Sequence, residues 1–230
     1  ITRLMGMEIE IEGDFPDKSG NTGFLLVSNH VSWTDIPVIG SLAQINFLSK
    51  AEVKSWPLIG RLADTTGTLF IQRGAGNTGS VARQIADYLE QGRSVLFFPE
   101  GTTTDGSSVK RFHRKLFRTC EHVPTQVLPL AIHYEVDGFD HNPVAFIDDD
   151  EFTQHIWKLL SFSRVKVKVA VLPLRTIDRA TLEQDVDTIH QDILGRIEQF
   201  QARRSIPLNT SARSPDASSH AGQPDEAASF

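Results

Sequence analysis

A chain of 230 residues, 40% hydrophobic and 23% charged, has the length and composition of one soluble globular domain with a sizeable core. Its formal net charge of -6 excludes a general nucleic-acid binder, which needs a broad basic face to displace phosphate counterions, so any basic site is local. The single cysteine, Cys120, cannot form an internal disulfide, no run approaches the ~20 apolar residues that cross a bilayer, and no secretory signal is visible, which together point to a reducing, cytosol-exposed setting.

In chain order, "MEIEIEG" alternates Met7, Ile9 and Ile11 against Glu8, Glu10 and Glu12, which predicts an edge strand with one wet face. Short continuous apolar runs follow at 24–28, 46–49, 68–72, 94–99, 127–132 and 165–172, with helical patterns between several of them at roughly 34–44, 56–64, 79–91, 111–121 and 152–161. Strands buried on both faces and separated by helices predict an α/β fold, a largely parallel mixed sheet sandwiched by helices. A longer helix over roughly 179–200 carries Leu182, Val186, Ile189, Ile193, Ile197 and Phe200 at helical spacing and packs along one edge of the domain. From about residue 203 the composition shifts to Ser, Ala, Pro, Asp and Gly, too poor in large apolar residues to offset the entropy of ordering. The expected organisation is a domain over 1–202 and a disordered polar tail over 203–230. Because the sequence begins at Ile1 rather than Met, a preceding segment such as a membrane anchor stays open.

Gly74, Gly76 and Gly79 form a G-x-G-x-x-G array after an apolar run and before a helix, with Glu100 ending the next strand. That is the outline of a dinucleotide-binding unit and of a nucleotide-dependent oxidoreductase. Gln72 and Arg73 intervene before the first glycine, however, and a flexible loop ahead of a helix explains the same letters.

The stretch "NHVSWTD" carries stronger chemistry. His30 stands where a strand hands over to a helix, the end of an open α/β sheet at which such folds build their sites. Neutral imidazole can take a proton from a substrate hydroxyl near pH 7 if a carboxylate orients the ring, and Asp35 is the candidate. On one continuous helix the two side chains would stand ~140° apart, but a turn at His30 and a helix from about Thr34 remove that objection. Ser32 to Asp35 also fits a capping box, in which Asp35 merely bonds back to the helix start. No H-E-x-x-H, cysteine cluster or G-x-S-x-G elbow is present, so neither a metal nor a serine nucleophile is expected and a substrate hydroxyl would attack. In "FFPEGTTTDG", an apolar strand ends in Glu100, which could accept from a ligand hydroxyl or pair with Arg73, while Gly101 allows close backbone approach. A solvated turn with an ion pair is the competing reading.

"NHVSWTD", "GTLFIQRG", "FFPEGT" and "VLPLAI", in that order, resemble the four blocks of the glycerolipid acyltransferase family, which includes the 1-acylglycerol-3-phosphate (lysophosphatidic acid) acyltransferases; the likeness spans roughly Gly6 to Pro173. The resemblance implies His30 as base and Asp35 as its orienting acid. It implies an acceptor headgroup site with Arg73, Glu100, Gly101 and Thr102, Lys50 near the polar pocket, and Pro129 on the acyl side. It further implies direct acyl transfer to a lysolipid hydroxyl from acyl-CoA or acyl-carrier protein as co-substrate, without cofactor or metal, at the cytoplasmic face of a membrane. The first acceptor expected is 1-acyl-sn-glycerol 3-phosphate. Many members read Phe-Pro-Glu-Gly-Thr-Arg, but here Thr103 follows Thr102, and the "EGTTTDG" form resembles a branch that includes acyltransferases for lyso-ornithine lipid, whose headgroup lacks phosphate. A non-catalytic lipid-binding module is a further alternative.

Two stretches could meet lipid, CoA phosphates or a carrier protein. "KRFHRKLFR", 110–118, interleaves Lys110, Arg111, Arg114, Lys115 and Arg118 with Phe112, Leu116 and Phe117, and "SWPLIGRL", 55–62, carries Trp56, Leu58 and Ile59. Core packing explains either equally well. Cys120 reads as a small core residue rather than a nucleophile.

Overall fold

A computed structural model describes residues 2–17, 23–50, 69–71, 78–147 and 150–204. Among them eight strands form one sheet: β1 (Met7–Glu12), β2 (Leu25–Ser28), β3 (Asn46–Lys50), β4 (Leu69–Ile71), β5 (Val95–Phe97), β6 (Thr125–Glu135), β7 (Val165–Val171) and β8 (Arg175–Ile177). Their spatial order is β1-β7-β6-β2-β5-β3-β4, and β8 also pairs with β6. Every pairing is parallel except β6 with β7 and β6 with β8. The largely parallel mixed sheet is therefore as expected.

Both faces of the central strands are covered, which is why their sequences lack polar alternation. Leu26, Leu96, Leu128, Leu130, Ile132 and Tyr134 face one core with Val38 and Ile39 of α1 (Asp35–Gly40) and Leu159 of α3 (Phe152–Leu160). Leu25, Val27, Val95, Phe97, Val127 and Ala131 face the other, against Ile85 and Leu89 of α2 (Thr78–Glu90) and Val186, Ile189, Ile193, Ile197 and Phe200 of α4 (Leu182–Arg204). The edge strand β1 follows its period of two only in part: Met7 is buried and Glu8 and Glu10 are exposed, but Ile11 is also exposed.

Pro129 stands inside β6, an unusual place for a residue that cannot donate to a ladder. On that side β8 pairs with Thr125 to Val127 and β7 with Leu130 onward, so Pro129 falls in the gap between them. Its carbonyl accepts from the Leu172 amide at 2.9 Å, in the link between those two strands, and its nitrogen points to the same side. No ladder donor is needed there.

Two expectations change in detail. The pattern over 111–121 becomes a 3-10 helix, Arg114–Glu121, rather than an α-helix. The chain is held extended as far as His113, because the Lys110 amide donates to Glu100 and the His113 amide to Pro99. The last helix runs through Arg204, past its expected end, and Arg203 pairs with Glu12 of β1. Strand β8 is too short to leave a pattern in the sequence. The expected helix at 56–64 and residues 205–230 of the expected tail lie outside the described residues.

Candidate active site

β2 and β5 run parallel with Val27 opposite Phe97, so both chains leave the sheet at the same edge, the carboxyl edge at which ligands bind in open α/β sheets. One exit loop carries His30 and the other Glu100.

The β2 exit is pinned before it turns. Asn29 is fully buried, its side-chain NH2 donates to the Ile132 carbonyl at 3.0 Å, and its side-chain oxygen accepts from the Ile132 amide at 2.8 Å. His30 follows with its imidazole stacked on Phe98, ring centroids 3.8 Å apart and planes within 10°. Its Nδ1–H donates to Asp35 Oδ2 at 2.7 Å. The carboxylate only accepts, so the proton sits on Nδ1 and Nε2 carries a lone pair. Among the described residues Nε2 has no hydrogen-bond partner, and the side chain keeps 18% of its surface exposed.

Asp35 is wholly buried, and four donors meet its two oxygens. Oδ2 accepts from His30 Nδ1 and from the amides of Val31 at 2.8 Å and Ser32 at 3.1 Å, while Oδ1 accepts from the Tyr134 hydroxyl at 2.7 Å. Such an arrangement suits an ionised carboxylate and has no use for a carboxyl proton. The bond from the Ser32 amide is one half of a capping box, but the other half is not made: Ser32 Oγ accepts from the Thr34 amide at a long 3.4 Å rather than from that of Asp35, and Thr34, at the helix N-cap, makes no side-chain cap bond. Asp35 thus braces the turn ahead of the helix and holds the imidazole at once, with the same oxygen serving both bonds.

Glu100, only 3% exposed, puts Oε1 on the His30 amide at 2.7 Å and Oε2 on the Lys110 amide at 2.7 Å. Burial pushes its carboxyl above the ordinary range, and those two amides pull it back. Gly101 follows with φ 71°, the left-handed conformation that closes the turn through its amide to the Phe98 carbonyl at 3.1 Å. The Thr104 amide donates to the His30 carbonyl at 2.9 Å, the Phe146 amide to the Val31 carbonyl at 3.0 Å, and the Thr103 hydroxyl to the Phe146 carbonyl. Two segments, the loop carrying Glu100 and Thr104 and the chain at Phe146, therefore clamp the backbone of the histidine turn.

α3 supports it from outside. Trp33 Nε1 donates to His155 Nδ1 at 3.0 Å, and His155 Nε2 donates to the Ala145 carbonyl at 3.0 Å. Burial lowers the pKa of His155, in keeping with the neutral ring that this pair of bonds requires.

The Acyltransferase family model matches residues 8–133, more than half of the chain. The chain belongs to the acyltransferase family. It is 41% identical to the lyso-ornithine lipid O-acyltransferase of Pseudomonas aeruginosa over 202 residues, covering 86% of this chain and 77% of that one. It is 29% identical to the 1-acyl-sn-glycerol-3-phosphate acyltransferase of Neisseria gonorrhoeae, covering 72% of this chain and 66% of that one. The fold resembles that of the 1-acyl-sn-glycerophosphate (LPA) acyltransferase PlsC from Thermotoga maritima, with a TM-score of 0.63 at 19% identity over 86% of this chain and 73% of that chain.

Of the site residues expected in this acyltransferase, the structure brings His30, Asp35, Glu100 and Gly101 together, with Thr102 exposed at the rim. Pro129 lies within the sheet opposite Val27. Lys50 ends β3, one strand beyond β5, and Arg73 lies outside the described residues, as do Gly74, Gly76 and 55–62. Gly79 is the second residue of α2, and a Cβ there would meet nothing within 4 Å, so no close approach explains that glycine. The oxidoreductase alternative gives way to the family. Asn29, Phe98 and Tyr134 were not foreseen. Asn29 directly precedes the histidine and Phe98 lies in a quoted block, but Tyr134 is 99 positions from its partner, and nothing local marks it.

The basic stretch 110–118 does not form a free amphipathic face. Phe112 and Phe117 are buried in the core, Arg114 forks onto Asp187, and Arg118 pairs with Glu121, leaving Lys110, Arg111 and Lys115 exposed. Cys120 is half-buried against the same core, and burial pushes its thiol up, which suits a packing residue. Among the described residues no group of three or more His, Cys, Asp or Glu is set to hold a metal, and no helix is long and apolar enough to cross a membrane.

Proposed function

We propose that this acyltransferase moves a fatty acyl group from the thioester of acyl-CoA or acyl-carrier protein to the hydroxyl of a lysolipid, with His30 as general base and Asp35 as its orienting acid. The observation that carries the reading is the 2.7 Å bond from His30 Nδ1 to the buried Asp35 carboxylate, which leaves Nε2 with a lone pair and no partner among the described residues. His30 Nε2 takes the hydroxyl proton as that oxygen attacks the thioester carbonyl. The tetrahedral intermediate then collapses with cleavage of the C–S bond, and the imidazolium returns the proton to the departing sulfur. Asp35 stabilises the imidazolium between the two steps, and no covalent acyl-enzyme forms.

Lyso-ornithine lipid is the acceptor we favour over 1-acyl-sn-glycerol 3-phosphate. Relatives with that activity in their names reach 41% and 36% identity, against 29% and 28% for the glycerol-phosphate acyltransferases. Thr103, moreover, stands where the resembled blocks often carry arginine, and its hydroxyl is turned to the Phe146 carbonyl. Lacking one charge-assisted bond of roughly 1.5–3 kcal/mol handicaps a phosphate acceptor by about tenfold or more. A panel of both lysolipids with radiolabelled acyl-CoA and acyl-carrier protein tests this. The expected result is a kcat/KM at least about tenfold higher for lyso-ornithine lipid; a reversed ratio restores the phosphate acceptor, and no transfer from either thioester to any lysolipid sinks the reading.

The described domain meets its acceptor at the cytoplasmic membrane face, through the outer side of α3. Trp157 and Leu160 are 73% and 41% exposed, next to Leu4 at 81% on the 3-10 helix Arg3–Met5. Arg3 and Lys158 are exposed beside them, the pairing of aromatic and basic residues that suits an anionic interface. Replacing Trp157 and Leu160 together with serine should lower sedimentation with anionic vesicles by about tenfold, from the lost apolar burial, while activity on detergent-dispersed lysolipid stays unchanged. Vesicle binding at the original level would move the contact elsewhere.

A further inference from the structure

We infer that Tyr134 is a positioning residue for acyl transfer: its hydroxyl fixes the Asp35 carboxylate in the one orientation that presents Oδ2 to His30. The inference rests on the reading of His30 and Asp35 as base and orienting acid.

Tyr134 lies near the end of β6 and is completely buried, its ring in the core shared with Val38 and Ile39 of α1. The strand therefore delivers the hydroxyl to the underside of the histidine turn with the rigidity of the central sheet. Its direction is set by its neighbours. Thr34 Oγ1 donates to the Tyr134 oxygen at 3.1 Å, and Asp35 Oδ1 can only accept, at 2.7 Å. The tyrosine proton thus points at the carboxylate. Burial first, and the Asp35 charge second, push the phenol well above its ordinary value, so it stays a donor throughout the working pH range.

The two oxygens of Asp35 are unequally served. Oδ2 has His30 Nδ1 and two amides, but among the described residues Oδ1 has Tyr134 alone. Without that hydroxyl a buried oxygen loses its donor and only Oδ2 stays anchored, so the carboxylate, still bonded to the imidazole, can swing about Oδ2 and no longer fixes the plane of the ring. Charge distribution changes as well. A donor on Oδ1 draws negative charge away from Oδ2, so Tyr134 moderates the attraction between Asp35 and the imidazolium. Among the described residues Glu100 is the other ionisable group against His30, and it meets the backbone amide rather than the ring. His155 is one residue removed, behind Trp33.

The test is Tyr134→Phe, which deletes one oxygen and keeps the ring. In the folded variant kcat should fall by about tenfold to a hundredfold with KM for the lysolipid within about twofold, since the residue touches no substrate. The acid limb of the kcat/KM profile should move up by about half a pH unit, because the unshared Asp35 charge favours the protonated imidazole. An unmoved acid limb, whether activity is kept or stability merely lowered, overturns the inference. A second variant guards against misfolding. The chain has two tyrosines, so biosynthetic 3-fluorotyrosine in a Tyr88→Phe background labels position 134 alone. This stronger donor should shift the acid limb the opposite way, to lower pH, and no shift overturns the inference equally. Full activity of a folded His30→Ala enzyme would instead remove the base reading beneath it, so the two failures are distinguishable.

Discussion

Replacing His30 with alanine should lower kcat for acyl transfer by about a thousandfold, roughly 4 kcal/mol of transition-state stabilisation, the scale of losing a positioned general base. The fold should survive, because His30 is held by its backbone as much as by its ring. Its amide stays on Glu100 and its carbonyl on the Thr104 amide, neither of which involves the imidazole. Asp35 Oδ2 would lose one of three donors and keep the amides of Val31 and Ser32. The lysolipid KM should change little, and circular dichroism with a melting curve checks that the protein is intact. A folded His30→Ala enzyme with undiminished kcat would falsify the proposed mechanism.

The second large effect separates chemistry from stability at Asp35. Asparagine can place its oxygen at the Oδ2 position, keeping the Val31 and Ser32 amides, and its NH2 at the Oδ1 position, where the Tyr134 oxygen accepts and its proton turns to Thr34 Oγ1. Asp35→Asn should therefore fold with near-normal stability yet lose about a hundredfold to ten-thousandfold in kcat, since a neutral amide does not stabilise the imidazolium. Alanine behaves differently. It leaves the Val31 and Ser32 amides buried without an acceptor, each costing roughly 1–3 kcal/mol, while the Tyr134 hydroxyl turns to Thr34 Oγ1; the loss is a large share of the roughly 5–15 kcal/mol that holds a typical domain folded. Denaturant unfolding of the two variants beside their turnover numbers gives the comparison. Equal activity in wild type and Asp35→Asn would remove Asp35 from the mechanism.

What could be read from the sequence was what is local. His30 and Asp35 stand five residues apart across a strand-to-helix junction, and a capping pattern with one extra acceptor is visible within seven letters. Helix α2 and the long helix α4 announced themselves by apolar period, and the central strands by unbroken apolar runs closed on both faces. Glu100 stood out as a carboxylate at a strand end, but its partners are backbone amides, one of them seventy positions away, and a sequence carries no mark of which amide needs an acceptor. Arg73, the partner that side-chain chemistry suggested, lies outside the described residues. The basic stretch 110–118 stayed open between two readings for a related reason: its phenylalanines belong to the core beneath α4, and Arg114 and Arg118 find acids whose positions only the tertiary fold sets. Tyr134 left no trace, because a tyrosine in an apolar strand looks like any other core aromatic until the turn above it is in place.

The Asn29 side chain has a consequence for how a base can be both free and fixed. By exchanging two hydrogen bonds with the Ile132 peptide it takes the part of a missing peptide unit, so the ladder between β2 and β6 runs one step further in side-chain atoms than in main chain. The backbone is released to bend just as the bonding that anchors it continues. In engineering language the histidine is carried on a cantilever whose clamp extends past the point where the beam curves, and its tip inherits the stiffness of the sheet without having to follow its direction.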